Sequence, residues 1–497
     1  MKLWEDIINK ATLGSGKLPL KSSDIPEIIA QEYDVPDSQD PEEDFLRLSA
    51  LIYQYKQAGS LPLNFQSIVQ AEAESEIKSY CSSKANDVLK TILDEELFPF
   101  LKLWLKRCAS TALIVAPELI PDLLDIALRK KEFKKLILDV SGKRGEWLCQ
   151  LNSRWNFSPP SKDQNVIWET GSPEDRKQLL RELRENNPSE ALDLLKTTWI
   201  TEGANEKLTY LEVLRINLSS SDLTWLESLK EKGQKVKAAI LDLIKSIPSS
   251  AVVQEYSSVL KNSITIKKGK ALLGMINKTG LDVSDSLSIS DAVFNSGIEK
   301  LSSDKNVSDN QYILAQLISA VPPSFWNDHL QLPAEAIIQL FQKEKQTAFY
   351  IPALAIASIK FKDTNWIKSV LDHGDDIIIN SSIALLIHGL TGTDRDEYAR
   401  KFLKEKPQEI IRVVIDHDEE WSMELAKSIL QYTANEVYNY NRSFYRPAAP
   451  LIPVSILDVL DSFTPTEEQK KVYWKNQSDE LARLLTIKQQ TLQSFTA

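Results

Sequence analysis

Val236-Lys237-Ala238-Ala239-Ile240-Leu241-Asp242-Leu243-Ile244-Lys245-Ser246-Ile247-Pro248 is the stretch whose pattern decides the architecture. Val236, Ala239, Ile240, Leu243, Ile244 and Ile247 fall at i, i+3, i+4, i+7, i+8 and i+11, which puts them on one face of an α-helix. Pro248 follows just past the last turn, where a residue without an N–H cannot continue the ladder. A helix with a single apolar stripe needs another helix to cover it.

Upstream, the helix starts are written out. Ser172-Pro173-Glu174-Asp175 sets a capping serine before a first-turn proline, with an acid three residues on, and Asn187-Pro188-Ser189-Glu190 repeats the device. Ala191, Leu192, Leu195 and Trp199, then Leu208, Leu211, Leu214 and Leu218, keep helical spacing. Residues 172 to 261 therefore predict six helices with short connections, which is three helix pairs. The carboxy half predicts helices near 311–320, 333–344, 350–360, 363–372, 394–404, 407–416 and 419–431, and Thr464-Pro465-Thr466-Glu467 reads as a further capping box. Strand spacing is confined to Ser263–Ile266, too short to build a sheet.

The expected fold is all-α, a HEAT-like α-α superhelix of stacked antiparallel helix pairs with no substantial sheet. Two interruptions, Asn156–Asn165 and the serine- and aspartate-rich Asp282–Asn310, divide it. They leave an N-terminal helical region over 1–155, a regular array over 166–281, and a C-terminal helical region over 311–497 that continues the array.

Composition agrees. A chain of 497 residues exceeds what one core organises, and only 15 glycines leave little room for tight turns. With 59 basic against 70 acidic residues the net charge is −11, which repels a polyanion. Cys81, Cys108 and Cys149 show no CxxC spacing and read as reduced thiols of a cytoplasm. MKLWEDIINKATL carries acids and does not read as a signal peptide, and the apolar run Ala348–Phe361 is too short to span a membrane.

Gly142-Lys143-Arg144-Gly145-Glu146-Trp147-Leu148, with Trp155, Trp168-Glu169-Thr170-Gly171 and the paired helices to Ser250, resembles a bacterial family numbered 5691 among domains of unknown function. Trp4 with Ala11-Thr12-Leu13-Gly14 resembles that family's first helix, while Lys237 departs from the arginine expected in its Val-Arg-x-Ala pattern. The resemblance implies a HEAT-like array and carries no catalytic residues. Genes of this kind commonly sit beside those of a MoxR-type AAA ATPase, a von Willebrand factor A-type protein and a zinc-finger protein. The resemblance thus implies a protein partner and not a chemistry.

Several constellations invite a chemical reading. Gly14-Ser15-Gly16-Lys17 has the end of a phosphate-binding loop, but Ala11 replaces its first glycine and Leu18 its hydroxyl, so it reads as a helix-ending loop. His373 with Asp375 and Asp376, and His417 with Asp416, Asp418, Glu419 and Glu420, hold the residue types that ligate zinc, iron or manganese. The competing reading is solvated loops, with Asp418-Glu419-Glu420 drawn to the positive end of the helix beginning there. His329 and His388 stand alone, and His388 on its apolar helix reads as a satisfied core residue. No Gly-x-Ser-x-Gly or HExxH occurs, and neither a catalytic residue nor a cofactor is assigned.

Arg129, Lys130, Lys131, Lys134, Lys135, Lys143 and Arg144 make a basic stretch beside Trp147 and Trp155. It suits nucleic acid, an acidic protein partner, or simply solvent, and the net charge of −11 weighs against nucleic acid. Tyr438, Tyr440, Arg442, Phe444, Tyr445 and Arg446 form the most aromatic loop in the chain. Exposed, it is a protein-binding surface; packed into a groove, it closes the fold. The expected function is a protein-binding scaffold or adaptor, with a metal-dependent enzyme and a nucleic-acid-binding array as alternatives.

Overall fold

The computed structural model describes residues 2–14, 25, 27, 40–58, 73–155, 164–270, 277–374 and 382–495. Ser15–Lys17, Asp375, Asp376 and most of Asn156–Asn165 lie outside them. The chain divides into two compact units, Met1–Ala73 and Glu74–Ala497. In the first, α1 (Lys2–Leu13) and α2 (Pro41–Ala58) bury Ile7, Phe45, Leu48 and Ile52 together, and Trp4 meets Tyr53 with ring centroids 5.4 Å apart.

The second unit opens with α3 (Ser83–Asp94), α4 (Phe98–Ser110), α5 (Ile120–Arg129) and α6 (Lys134–Leu151). After α7 (Gln164–Thr170), six helices stand between 173 and 263: α8 (Pro173–Asn186), α9 (Pro188–Thr198), α10 (Ala204–Leu214), α11 (Ser220–Ser228), α12 (Gln234–Ile244) and α13 (Ala251–Ser263). The anticipated caps form, since the Ser172 hydroxyl accepts the Asp175 N–H at 3.2 Å and the Asn187 carbonyl oxygen accepts that of Glu190 at 3.4 Å. Then come α14 (Asp291–Asn295), α15 (Asp309–Ser319), α16 (Ser324–Leu330), α17 (Ala334–Gln342), α18 (Lys345–Ala348), α19 (Ile351–Lys360) and α20 (Thr364–His373). The last group is α21 (Ile383–His388), α22 (Gly392–Phe402), α23 (Pro407–Asp416), α24 (Met423–Asn435), α25 (Arg442–Ala448) and α26 (Glu468–Gln493).

Helices pack on their neighbours and on the helix two along: α8 on α9 and α10, α12 on α10 and α11, α22 on α23 and α24. This follows from the single apolar stripe of each helix, which one neighbour only partly covers. Two cores result. One runs from Trp168 to Ile247, and the larger draws on both ends of the unit, from Cys81 to Cys149 and from Val253 to Ile487. Val252 packs against both. The last helix returns to the first, with α26 lying on α3 and α4.

The fold is all-α, with one small addition. β1 (Ile264–Lys270) pairs antiparallel with β2 (Asn277–Val283), Ile264 opposite Val283 and Lys270 opposite Asn277. Four residues of strand spacing predict no sheet; the spacing misses this one because lysine, glycine, asparagine and threonine fill most of both strands and leave no alternation to read. Burial of Ile264 and Leu281 roots the hairpin in the core. Thr464 also differs from expectation. It ends the 3-10 run Val454–Phe463, donating its hydroxyl to the Asp461 carbonyl at 2.8 Å, so α26 starts three residues later than a Thr464 cap would set it, behind Glu467.

Candidate functional site

The six residues of the aromatic segment part ways. Tyr445 is fully buried, with its hydroxyl donating to Thr433 Oγ1 at 3.0 Å and its ring 6.4 Å from that of Trp474. Tyr440 sits edge-on to Tyr432 and Phe444, at 5.9 and 5.0 Å, and burial pushes its phenol up to about 12. Arg442 and Arg446 turn toward Glu480 of α26, with Nε to Oε1 distances of 2.9 and 3.8 Å, and Arg483 adds an Nε to Oε2 bond of 3.0 Å. The Arg483 hydrogen bond, against burial and with help from Arg442, holds the Glu480 carboxyl below the usual glutamate range. These side chains fasten α25 to α26.

Tyr438 goes the other way. It is 56% exposed and makes an edge-to-face pair with Tyr473 of α26, itself 53% exposed, at 5.1 Å between centroids. Val472 beside it is 63% exposed. Sequence reading missed Tyr473 and Val472 because they flank the core residue Trp474. Successive helical residues turn by about 100°, which sends Tyr473 off the buried face. The outcome is an exposed aromatic pair between the turn after α24 and α26, the kind of surface that anchors protein contacts.

Three of the seven basic side chains pair with acids. Lys134 lies 3.4 Å from Asp175, Lys135 pairs with Glu182, and Lys143 pairs with Glu146 at 2.8 Å and Glu74 at 3.2 Å. Lys130 sits over the Phe98 ring at 4.3 Å, Arg129 donates to the Asp125 carbonyl at 3.4 Å, and the Arg144 N–H is taken by Glu76 at 2.8 Å. Lys131 opens the 3-10 turn between α5 and α6. Trp155 donates to Asp125 at 2.8 Å, which fixes it against α5 and not as an open stacking platform.

Of the described residues weighed as metal ligands, Asp418, Glu419 and Glu420 pair with cations elsewhere in the unit. Asp418 takes Lys102 at 2.8 Å and Lys106 at 3.0 Å, both from α4. Glu419 takes Arg395 of α22 at 2.7 Å, and Glu420 takes the buried Lys488 of α26. Trp421 is buried, and its backbone N–H donates to the Leu451 carbonyl at 2.8 Å. Four consecutive residues thus clasp four different parts of the unit. His417 bonds the His388 carbonyl at 3.1 Å, its ring 4.7 Å from that of His388. Burial first, then the neighbouring His388 and Arg395, lowers its pKa. His388 is exposed and not a core residue: it ends α21 on the same outward face as the exposed Leu385, one turn earlier, while Leu386 and Ile387 turn inward, and its ring meets that of His417. His373 lies 3.6 Å from Glu335, and His329 bonds the Ile264 carbonyl at 2.7 Å. Among the described residues, no three His, Cys, Asp or Glu side chains gather as metal ligands, and no helix is long and apolar enough to cross a membrane.

Comparison with known families then decides the relationship. The family of unknown function DUF5691 matches residues 6–495, nearly the whole chain. The chain belongs to that family. No curated protein and no solved structure matches it.

In this DUF5691 chain, the Gly142–Trp147 stretch has a structural account. Gly142 adopts φ +62°, breaking α6 into two helical pieces, and Glu76 caps the second by accepting the N–H groups of Lys143 at 2.9 Å and Arg144 at 2.8 Å. A Cβ on Gly142 would sit 2.5 Å from the Glu76 carboxylate, and one on Gly145 would sit 2.3 Å from the Ser141 Cβ. The glycines serve a kink and its cap. Tyr438 and Tyr473 stay exposed beside the Arg442–Glu480 contact.

Proposed function

We propose that this chain is a HEAT-like helical-repeat scaffold or adaptor acting in the cytoplasm, and that it engages a protein partner through the surface of Tyr438, Val472 and Tyr473. The observation that carries this reading is the exposed Tyr438–Tyr473 pair, formed between the turn after α24 and the first turns of α26. The neighbour-on-neighbour packing of helices and the continuity of the two cores at Val252 support the superhelix over 166–281 and 311–497. Three free cysteines accord with a reducing compartment.

The gene neighbourhood implied by the family resemblance nominates a MoxR-type AAA ATPase and a von Willebrand factor A-type protein as partners. The test is binding of the purified full chain to each purified protein, with and without nucleotide, followed on a biosensor. Micromolar or tighter binding that is lost in a variant carrying Tyr438→Ala and Tyr473→Ala supports the reading. Binding to neither, or binding indifferent to both substitutions, overturns it.

A further inference from the structure

Cys81 and Cys108 place their Sγ atoms 3.4 Å apart. Cys81 stands just ahead of α3 and Cys108 lies near the end of α4; both are buried free thiols. The approach is fixed by the backbone around it. The Cys81 N–H donates to the Ile114 carbonyl at 2.8 Å, and its own carbonyl accepts Nδ2 of the buried Asn86 at 3.2 Å. Asn86 Oδ1 takes the Ala116 N–H at 3.3 Å, and the Cys108 thiol faces the Leu113 carbonyl at 3.3 Å. The Cys81 side of the sulfur pair is therefore held by the Ile114, Asn86 and Ala116 hydrogen bonds, none of which involves a sulfur.

We propose that Cys81 and Cys108 are a redox-modification site, oxidised by hydrogen peroxide or a related hydroperoxide to an intramolecular disulfide and restored by a dithiol reductant. The two thiols have different roles. The hydrogen bond from Cys108 lowers the Cys81 thiol below its ordinary value despite burial, while the same contact, with burial, raises Cys108. Cys81 is also the more accessible, at 7% against 0%. Cys81 thiolate attacks one peroxide oxygen, so that an S–O bond forms, the O–O bond breaks, and the departing hydroxide takes a proton as water. Cys108 sulfur then attacks the Cys81 sulfenic acid; the S–S bond forms, the S–O bond breaks, and the leaving hydroxide carries off the Cys108 proton as a second water. Two thiols lose two electrons and two protons, and the peroxide is reduced to two waters. The cross-link ties the segment before α3 to α4, the helix that receives α26 and the Asp418 clasp.

The test treats the folded full chain with hydrogen peroxide, alkylates without reduction under denaturing conditions, and maps the peptides by mass spectrometry. The expected product is lighter by two hydrogens, with the Cys81 and Cys108 peptides linked, Cys149 alkylated, and the link reversed by dithiothreitol. Cys149, whose thiol burial pushes up, is the internal control, and Cys149→Ser retains the link. Cys81→Ser abolishes it. In the wild-type chain, alkylation of both Cys81 and Cys108 after peroxide, their conversion to sulfinic acids without a link, or linkage through Cys149 overturns the proposal.

Discussion

Lys106 and Asp418 stand 312 residues apart in the chain and meet at 3.0 Å, joining the second helix of the large unit to the turn before α24. Lys102 reaches the same carboxylate at 2.8 Å. Burial alone raises the Asp418 pKa, but the hydrogen bonds from Lys102 and Lys106 and their charges outweigh it and hold the carboxyl below aspartate's ordinary 3.8. A carboxyl with a depressed folded value contributes stability that is complete above the unfolded value and disappears as pH falls through the folded one. Asp418→Asn therefore lowers the urea midpoint near neutral pH, and the gap to wild type closes as the pH falls below aspartate's ordinary value and through the lower folded one. Asparagine keeps the comparison clean because Asp418 has φ +53°, a conformation asparagine tolerates. A gap unchanged across the titration would show that the clasp carries no electrostatic stabilisation.

Gly142→Ala tests the kink in α6. With φ +62° and the Glu76 carboxylate 2.5 Å from the added carbon, the substitution forces the cap away and costs about 1–3 kcal/mol in chemical unfolding. Gly233→Ala is the matched control, since nothing lies within 4 Å of its Cβ position, and its midpoint stays close to wild type.

Arg184 and Asp222 pin the smaller core from within. The guanidinium meets the carboxylate at 2.9 and 3.1 Å and also donates to the carbonyls of Pro188, Leu214, Ile216 and Asn217. Asp222→Ala strands a wholly buried cation and costs about 3–5 kcal/mol, read as loss of hydrogen-exchange protection over α8–α12. Arg184→Met combined with Asp222→Leu recovers much of that loss, because neither charge is then left alone. A double variant no better than Asp222→Ala would show that the carbonyl contacts of Arg184 dominate.

Tyr438→Ala with Tyr473→Ala leaves the unfolding midpoint within about 0.5 kcal/mol of wild type, since both rings are more than half exposed. Partner affinity falls at least tenfold in the same variant, as expected for an aromatic anchor worth about 1.4 kcal/mol or more. Arg442→Ala is a poor substitute, because its hydrogen bond to Glu480 at 2.9 Å ties α25 to α26 and mixes binding with stability.

Local information determined much of this protein. The stripe from Val236 to Ile247 and the caps at Ser172 and Asn187 specify helices through spacing and hydrogen bonds spanning only a few residues, so they are legible without knowing what lies opposite. Tertiary structure decided the rest. Whether Asp418-Glu419-Glu420 solvates a helix end or clasps the unit depends on Lys102, Arg395 and Lys488, which chain folding alone brings within reach. Of the aromatic segment, Tyr445 went inward and Tyr438 outward because α26 covers one and leaves the other beside Tyr473. The β1–β2 hairpin and the Cys81–Cys108 contact belong to the same class. Each joins residues whose own neighbours in sequence give no pattern, and pairing across a distance is energetically visible only once both partners are in place.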